Sequence, residues 1–94
     1  MGEKNREYSW TFLTNHSHVL LCLAEDSAMR MRDIAREVGI TERAVQRIIS
    51  DLVNEGYIER VREGRRNTYK INPEKHLRHP LEREKTIQEL IELI

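Results

Sequence analysis

Residues 31–58 read MRDIAREVGITERAVQRIISDLVNEGYI, and two helical patterns share this stretch. In the first, Ile34, Ala35 and Val38 recur at i, i+1 and i+4, which predicts a helix from about Arg32 to Val38. Asp33 near its start suits the helix dipole, and Gly39 ends it. In the second, Ala44, Val45, Ile48, Ile49, Leu52 and Val53 form a continuous apolar stripe at helical spacing. Thr41 is the cap, Glu42 occupies the first turn, and the helix runs to about Glu55, where Gly56 closes it. Only Gly39-Ile40-Thr41 separates the two helices. A glycine there can take a positive φ without a Cβ clash.

Downstream, Tyr57–Glu63 and Asn67–Asn72 read as two strands joined by Gly64-Arg65-Arg66. Tyr69 and Ile71 share one face by period-two alternation, so the pair predicts a β-hairpin with a basic tip. Pro73 stops the second strand, and His76 to Pro80 is irregular. A last helix is expected from about Leu81 to Ile94, with Ile87, Leu90, Ile91 and Ile94 at i, i+3, i+4 and i+7. Such a narrow seam suits a partner helix. Upstream, Met29 and Met31 alternate with Ala28 and Arg30, which suggests a very short extended segment. Before it, a helix starts near Asn15 or Ser17, both good caps. Val19, Leu20, Leu23 and Ala24 form its buried face, Cys22 lies beside that face, and Glu25-Asp26-Ser27 breaks the run. Trp10, Phe12 and Leu13 are apolar but aperiodic, as in an arm that packs on something else. The organisation expected is one domain over 1–94. Its core is 15–72, with an N-terminal arm over 1–14 and a C-terminal helix over 81–94. The class is mainly α with one small β-hairpin.

Composition narrows the function. A chain of 94 residues allows one domain with a modest core that needs no disulfide or structural metal. Its five aromatics leave the core to aliphatics. No apolar run approaches the roughly 20 residues that span a bilayer, and MGEKNREYSW has no apolar stretch of a secretory signal. Arg6 stands where myristoylation needs Ser or Thr. The one cysteine, Cys22, suits a reducing cytoplasm. A cytoplasmic protein with no membrane partner is therefore expected. There is no Gly-rich phosphate loop, no Ser or Cys beside a plausible His base, and no carboxylate pair in an evident cleft. Neither an enzyme nor a cofactor is expected.

The net charge is zero, with 16 basic and 16 acidic side chains, but it is unevenly placed. The middle of the chain is basic and both ends are acidic. Over residues 60–70, Arg60, Arg62, Arg65, Arg66 and Lys70 face only Glu63. A charge run alone is equally a solvated face; what precedes this one gives it meaning. A short helix, a tight turn and a longer helix make a helix-turn-helix, whose second helix enters the DNA major groove. Its exposed residues here are Arg43, Gln46 and Arg47. Arg pairs bidentately with guanine and Gln with adenine. Glu42 is read as cap chemistry. Thr41 caps the helix and is a candidate donor to phosphate. Arg65 and Arg66, at the hairpin tip, are placed to reach phosphates or the minor groove. Arg60, Arg62 and Lys70 on the stems face phosphate if they face DNA at all. Tyr69 is expected to pack the hairpin.

On these residues the chain resembles the winged helix-turn-helix of the broad MarR/ArsR-like group of prokaryotic transcription regulators. The pattern Ile-Ala…Val-Gly-Ile-Thr, a recognition helix and Leu…Glu-Gly-Tyr-Ile matches that group. Gly64-Arg-Arg-Asn67 followed by Tyr69 matches its wing. The flanks resemble a small single-domain subset. The resemblance implies a homodimer that binds a pseudo-palindromic operator in double-stranded DNA, usually to repress. Dimerisation would fall to Ile87, Leu90, Ile91 and Ile94, with Trp10 and Phe12. The effector pocket of longer relatives lies against long dimerisation helices, of which one C-terminal helix remains here.

Winged helices that bind protein usually carry an acidic or apolar recognition face; this one has two arginines and a glutamine. RNA is disfavoured because no exposed aromatic pair is expected as a stacking platform. A metal-responsive sensor would draw on His16, His18, Cys22, His76 and His79. His18 and Cys22 are i, i+4, and zinc wants three or four N or S donors. The paired-cysteine motif of metal-sensing members is missing from the helix that begins after Thr41, so no metal site is expected.

Overall fold

Thr14, rather than Asn15 or Ser17, opens the first helix. In the computed structural model, which describes residues 9–94, helix α1 spans Asn15–Glu25. The Thr14 hydroxyl accepts from the Ser17 amide at 3.3 Å. Helix α2 spans Met31–Val38 and ends at Gly39, whose φ of 88° is left-handed. Helix α3 spans Glu42–Asn54. Strands β1 (Ile58–Glu63) and β2 (Arg66–Ile71) pair antiparallel. Helix α4 spans Ile87–Leu93.

The α3 stripe decides the packing. Val45, Ile48, Ile49 and Leu52 are buried, and they meet Val19, Leu20 and Leu23 of α1 and Ile34 and Ala35 of α2 in one core. Ala24, expected on the buried face of α1, is exposed at the helix end. Tyr57, Ile58 and Tyr69 seat the hairpin on the core, and Ile87 seats α4. The turn out of α3 is a Schellman motif: Tyr57 N–H donates to Leu52 C=O at 2.8 Å and Gly56 N–H to Val53 C=O at 3.0 Å. Gly56 has φ 82°, the conformation that motif requires.

Residues 28–31 form no strand. The sheet has two strands, and the segment before α2 meets β2 through one backbone bond, Tyr69 N–H to Ser27 C=O at 3.1 Å. The last helix is also shorter than 81–94. Glu82-Arg83-Glu84-Lys85 offers no apolar face to bury, so it stays a turn, tied down by Leu77 N–H to Lys85 C=O at 3.0 Å. The helix then starts at a capping box. Thr86 accepts from the Glu89 amide at 3.2 Å, and the Glu89 carboxylate accepts from the Thr86 amide at 2.9 Å. The Thr86 amide holds the Glu89 carboxyl below the usual Glu range.

A folded-state pKa that is lowered stabilises above the ordinary Glu range and loses that contribution as the pH falls through the folded value. Acidification should therefore loosen the start of α4 before the core melts. The protection of the Leu90 amide, which donates to Thr86 C=O, measured against its intrinsic exchange rate at each pH, should fall below the ordinary Glu pKa. In Glu89→Gln that acid dependence should vanish; its persistence would place the titrating group elsewhere.

Candidate nucleic-acid interface

Helix α3 divides its two faces cleanly. The stripe is buried, while Glu42, Arg43, Gln46, Arg47 and Ser50 are exposed. Thr41 starts it as expected, its hydroxyl accepting from the Ala44 amide at 3.0 Å. That bond uses one lone pair of Thr41 and leaves its hydroxyl hydrogen free to donate. Among the described residues, the side chains of Arg43, Gln46 and Arg47 make no hydrogen bond or ion pair within the chain. Their donors and acceptors are open to a ligand. Asp51, one turn further on, is bound to His16 of α1 at 2.9 Å. This pair ties α1 to the far end of α3. Being half exposed, it adds little stability.

The hairpin extends this surface. Glu63 pairs directly with Arg66, so Gly64 and Arg65 alone form the turn. Gly64 has φ 64°, a conformation a Cβ would strain. The tip therefore carries Arg65, while Arg66 is the first residue of β2. The four wing arginines differ. Arg60 lies opposite Tyr69 in the ladder, its guanidinium 5.8 Å from the ring centroid. Arg62 Nε donates to Gly64 C=O at 3.3 Å. An Arg66 terminal nitrogen donates to Ala28 C=O at 3.0 Å. Arg65 has no such partner among the described residues. Tyr69 is buried and packs the hairpin as expected. The arginine contacts were not legible as such in the sequence. The two-residue turn carries the signal for one of them, because it fixes the register that sets Arg60 opposite Tyr69.

The residues expected at a dimer contact fall into two groups. Ile87 is buried in this chain's own core, and Leu90 and Ile91 are half-buried against it. Trp10, Phe12 and Ile94 are 66%, 91% and 76% exposed. Trp10 and Phe12 meet edge to face, centroids 4.9 Å apart and planes at 79°. The two rings thus form an exposed aromatic pair. Its rings meet edge-on and offer no stacked parallel platform. The first eight residues of the arm lie outside the described residues.

The metal candidates are dispersed. His18 Nδ1 lies 3.1 Å from the Asn15 side-chain oxygen, His76 Nδ1 2.8 Å from Arg83 C=O, and His79 Nδ1 accepts from the Leu81 amide. Among the described residues no three His, Cys, Asp or Glu side chains converge on one point. Burial, with Glu37 and Glu25 adding to it, raises the Cys22 thiol above its ordinary range, which makes it a poor nucleophile at neutral pH. No helix of the described residues is long and apolar enough to cross a membrane.

Residues 13–59, half of the chain, match the family model described as winged helix-turn-helix DNA-binding. The chain belongs to this family. The match covers α1, α2, α3 and the start of β1, which includes Arg43, Gln46 and Arg47 and stops before the wing arginines. Two solved structures share the fold. One is the zinc-dependent MarR family transcriptional regulator AdcR in its Zn(II)-bound state. It is 26% identical with a TM-score of 0.50, over 69% of this chain and 47% of that one. The other is ZitR from Lactococcus lactis, a zinc-responsive MarR family member. It is 20% identical with a TM-score of 0.53, over 70% of this chain and 47% of that one. The chain thus spans about half the length of each regulator. No curated protein matches it by sequence.

Proposed function

We propose that the chain is a transcription regulator that binds double-stranded DNA sequence-specifically as a homodimer, in the manner of a MarR-like repressor. The observation that carries this reading is the open polar face of α3. A Thr41-capped helix presents Arg43, Gln46 and Arg47 to solvent with no side-chain partner among the described residues, beside a wing tipped by Arg65. Base readout falls to those three side chains. Thr41 and the wing position the protein on the backbone. The protein acts by binding rather than catalysis and works in the cytoplasm.

The homodimer is supported by the apolar side chains left uncovered at both ends of the described chain. Trp10, Phe12, Leu93 and Ile94 are exposed, and Leu90 and Ile91 lie half-covered beside the last two. Sedimentation should give a dimer for the full chain. Trp10→Ala/Phe12→Ala/Ile94→Ala should shift it to monomer and weaken binding to a two-half-site duplex far more than to a half site. A dimer unchanged by these substitutions would put the interface elsewhere.

A zinc response is the second reading, favoured by the likeness to the zinc-dependent regulator AdcR. The dispersed histidines and Cys22 argue against a site within one chain. A thermal melt with and without excess zinc separates the two readings. An unchanged midpoint is expected, and a rise of several degrees would establish a site. Selection from a random duplex pool tests the main proposal. An enriched inverted repeat is expected, and no enrichment would overturn sequence-specific binding.

A further inference from the structure

We propose that Arg66 is a positioning residue that clamps the wing to the segment between α1 and α2, leaving Arg65 as the wing's DNA contact. This rests on the DNA-binding reading above and divides the two tip arginines into different roles.

The clamp has two points. The Arg66 guanidinium donates to Ala28 C=O at 3.0 Å, and three residues along the same strand the Tyr69 amide donates to Ser27 C=O at 3.1 Å. The segment they grip is itself fixed: the Ala28 amide donates to the Asp26 carboxylate at 3.0 Å and the Met29 amide to Asp26 C=O at 3.0 Å. A two-stranded hairpin alone is marginally stable in water, so a wing held only at its base would swing. The base here is held by buried Ile58 and Tyr69. Arg66 sits at the far end of β2, where leverage over the tip is greatest. Its guanidinium is directed inward, to the Ala28 carbonyl, and its backbone is held in the ladder opposite Glu63. Arg65 occupies the turn with neither constraint. Arg62 adds to the same design, since its bond to Gly64 C=O at 3.3 Å braces the turn itself. A tip fixed in advance loses less freedom on binding, which is how preorganisation raises affinity.

A double-mutant cycle read with salt titrations tests this. Wild type, Arg65→Ala, Arg66→Ala and the double variant are compared on one duplex, at a temperature where circular dichroism shows all four folded. Arg66 is exposed, so its loss should leave the fold intact. Arg65→Ala should weaken binding about tenfold and reduce the log–log salt slope by about one, the value of one phosphate contact. Arg66→Ala should also weaken binding several-fold. The double variant should bind no more weakly than Arg65→Ala alone, with the same slope, because a clamp acts only through the contact it holds. A double variant with additive losses and a slope reduced by about two would make Arg66 a DNA contact and overturn the proposal. So would an Arg66→Ala variant that binds like wild type, or an Arg65→Ala variant with an unchanged slope. Failure of wild type to bind any duplex at low salt is a different result, which removes the DNA-binding reading itself.

Discussion

Ile49→Ala should cost about 2–5 kcal/mol of folding stability, the range for deleting a large aliphatic side chain from a closed core. Ile49 is fully buried on α3, at the layer where α1 and α2 meet that helix. The cost has two parts, the lost transfer energy of the removed methyl and methylene groups and the cavity left behind. Rigid helices on two sides limit how far the site can collapse. A domain of this size has roughly 5–15 kcal/mol in total, so this one change removes a large share of it. Urea unfolding should show a lower midpoint with an unchanged slope. DNA affinity, corrected for the folded fraction, should stay near wild type, because the open face of α3 is untouched. A cost below about 1 kcal/mol would mean that α1, α2 and α3 do not share the core described above.

Arg47→Ala should have the opposite profile. Arg47 is exposed and its side chain has no partner among the described residues, so folding stability should hardly change. The loss should appear in binding, at about 1–3 kcal/mol, and specificity should relax at one base pair. Arg43 lies one turn earlier on the same face and Gln46 beside it, so in the proposed binding mode the three side chains would cover adjacent positions in a groove. The discriminating detail is the pattern across sequences. Unequal losses that erase the preference at one position mark a base contact. Equal losses on every duplex, with a shallower salt dependence, would make Arg47 a phosphate contact instead.

The helices and the candidate surface were legible because local rules and tertiary packing agree there. The α3 stripe recurs at helical spacing, Thr41 caps it, and Gly39 and Gly56 take the positive φ values that the turns demand. The exposed face then follows by subtraction. Where the reading missed, tertiary or cap chemistry overrode periodicity. The apolar seam at Ile87, Leu90 and Ile91 is helical, but the charged residues before it have nothing to bury, and the Thr86/Glu89 capping box sets the true start. That signal, Thr and Glu three apart, stands in the sequence. The alternation at Met29 and Met31 suggested a strand, yet Asp26 turns the chain there through two local bonds. The division of labour between Arg65 and Arg66 depends on Ala28, nearly forty residues away, and no local pattern encodes it. The same holds for Ile87: its period marks it as apolar, and only the fold decides that it faces its own core.

In the proposed function the open face of α3 and the wing together bind duplex DNA. The most direct test is a salt titration of wild-type binding to a mixed-sequence duplex of about 30 base pairs. Log affinity should fall linearly with log salt concentration, steeply enough to report several phosphate contacts at about 0.9 each. Binding that is absent at low salt, or that is indifferent to salt, would contradict the account.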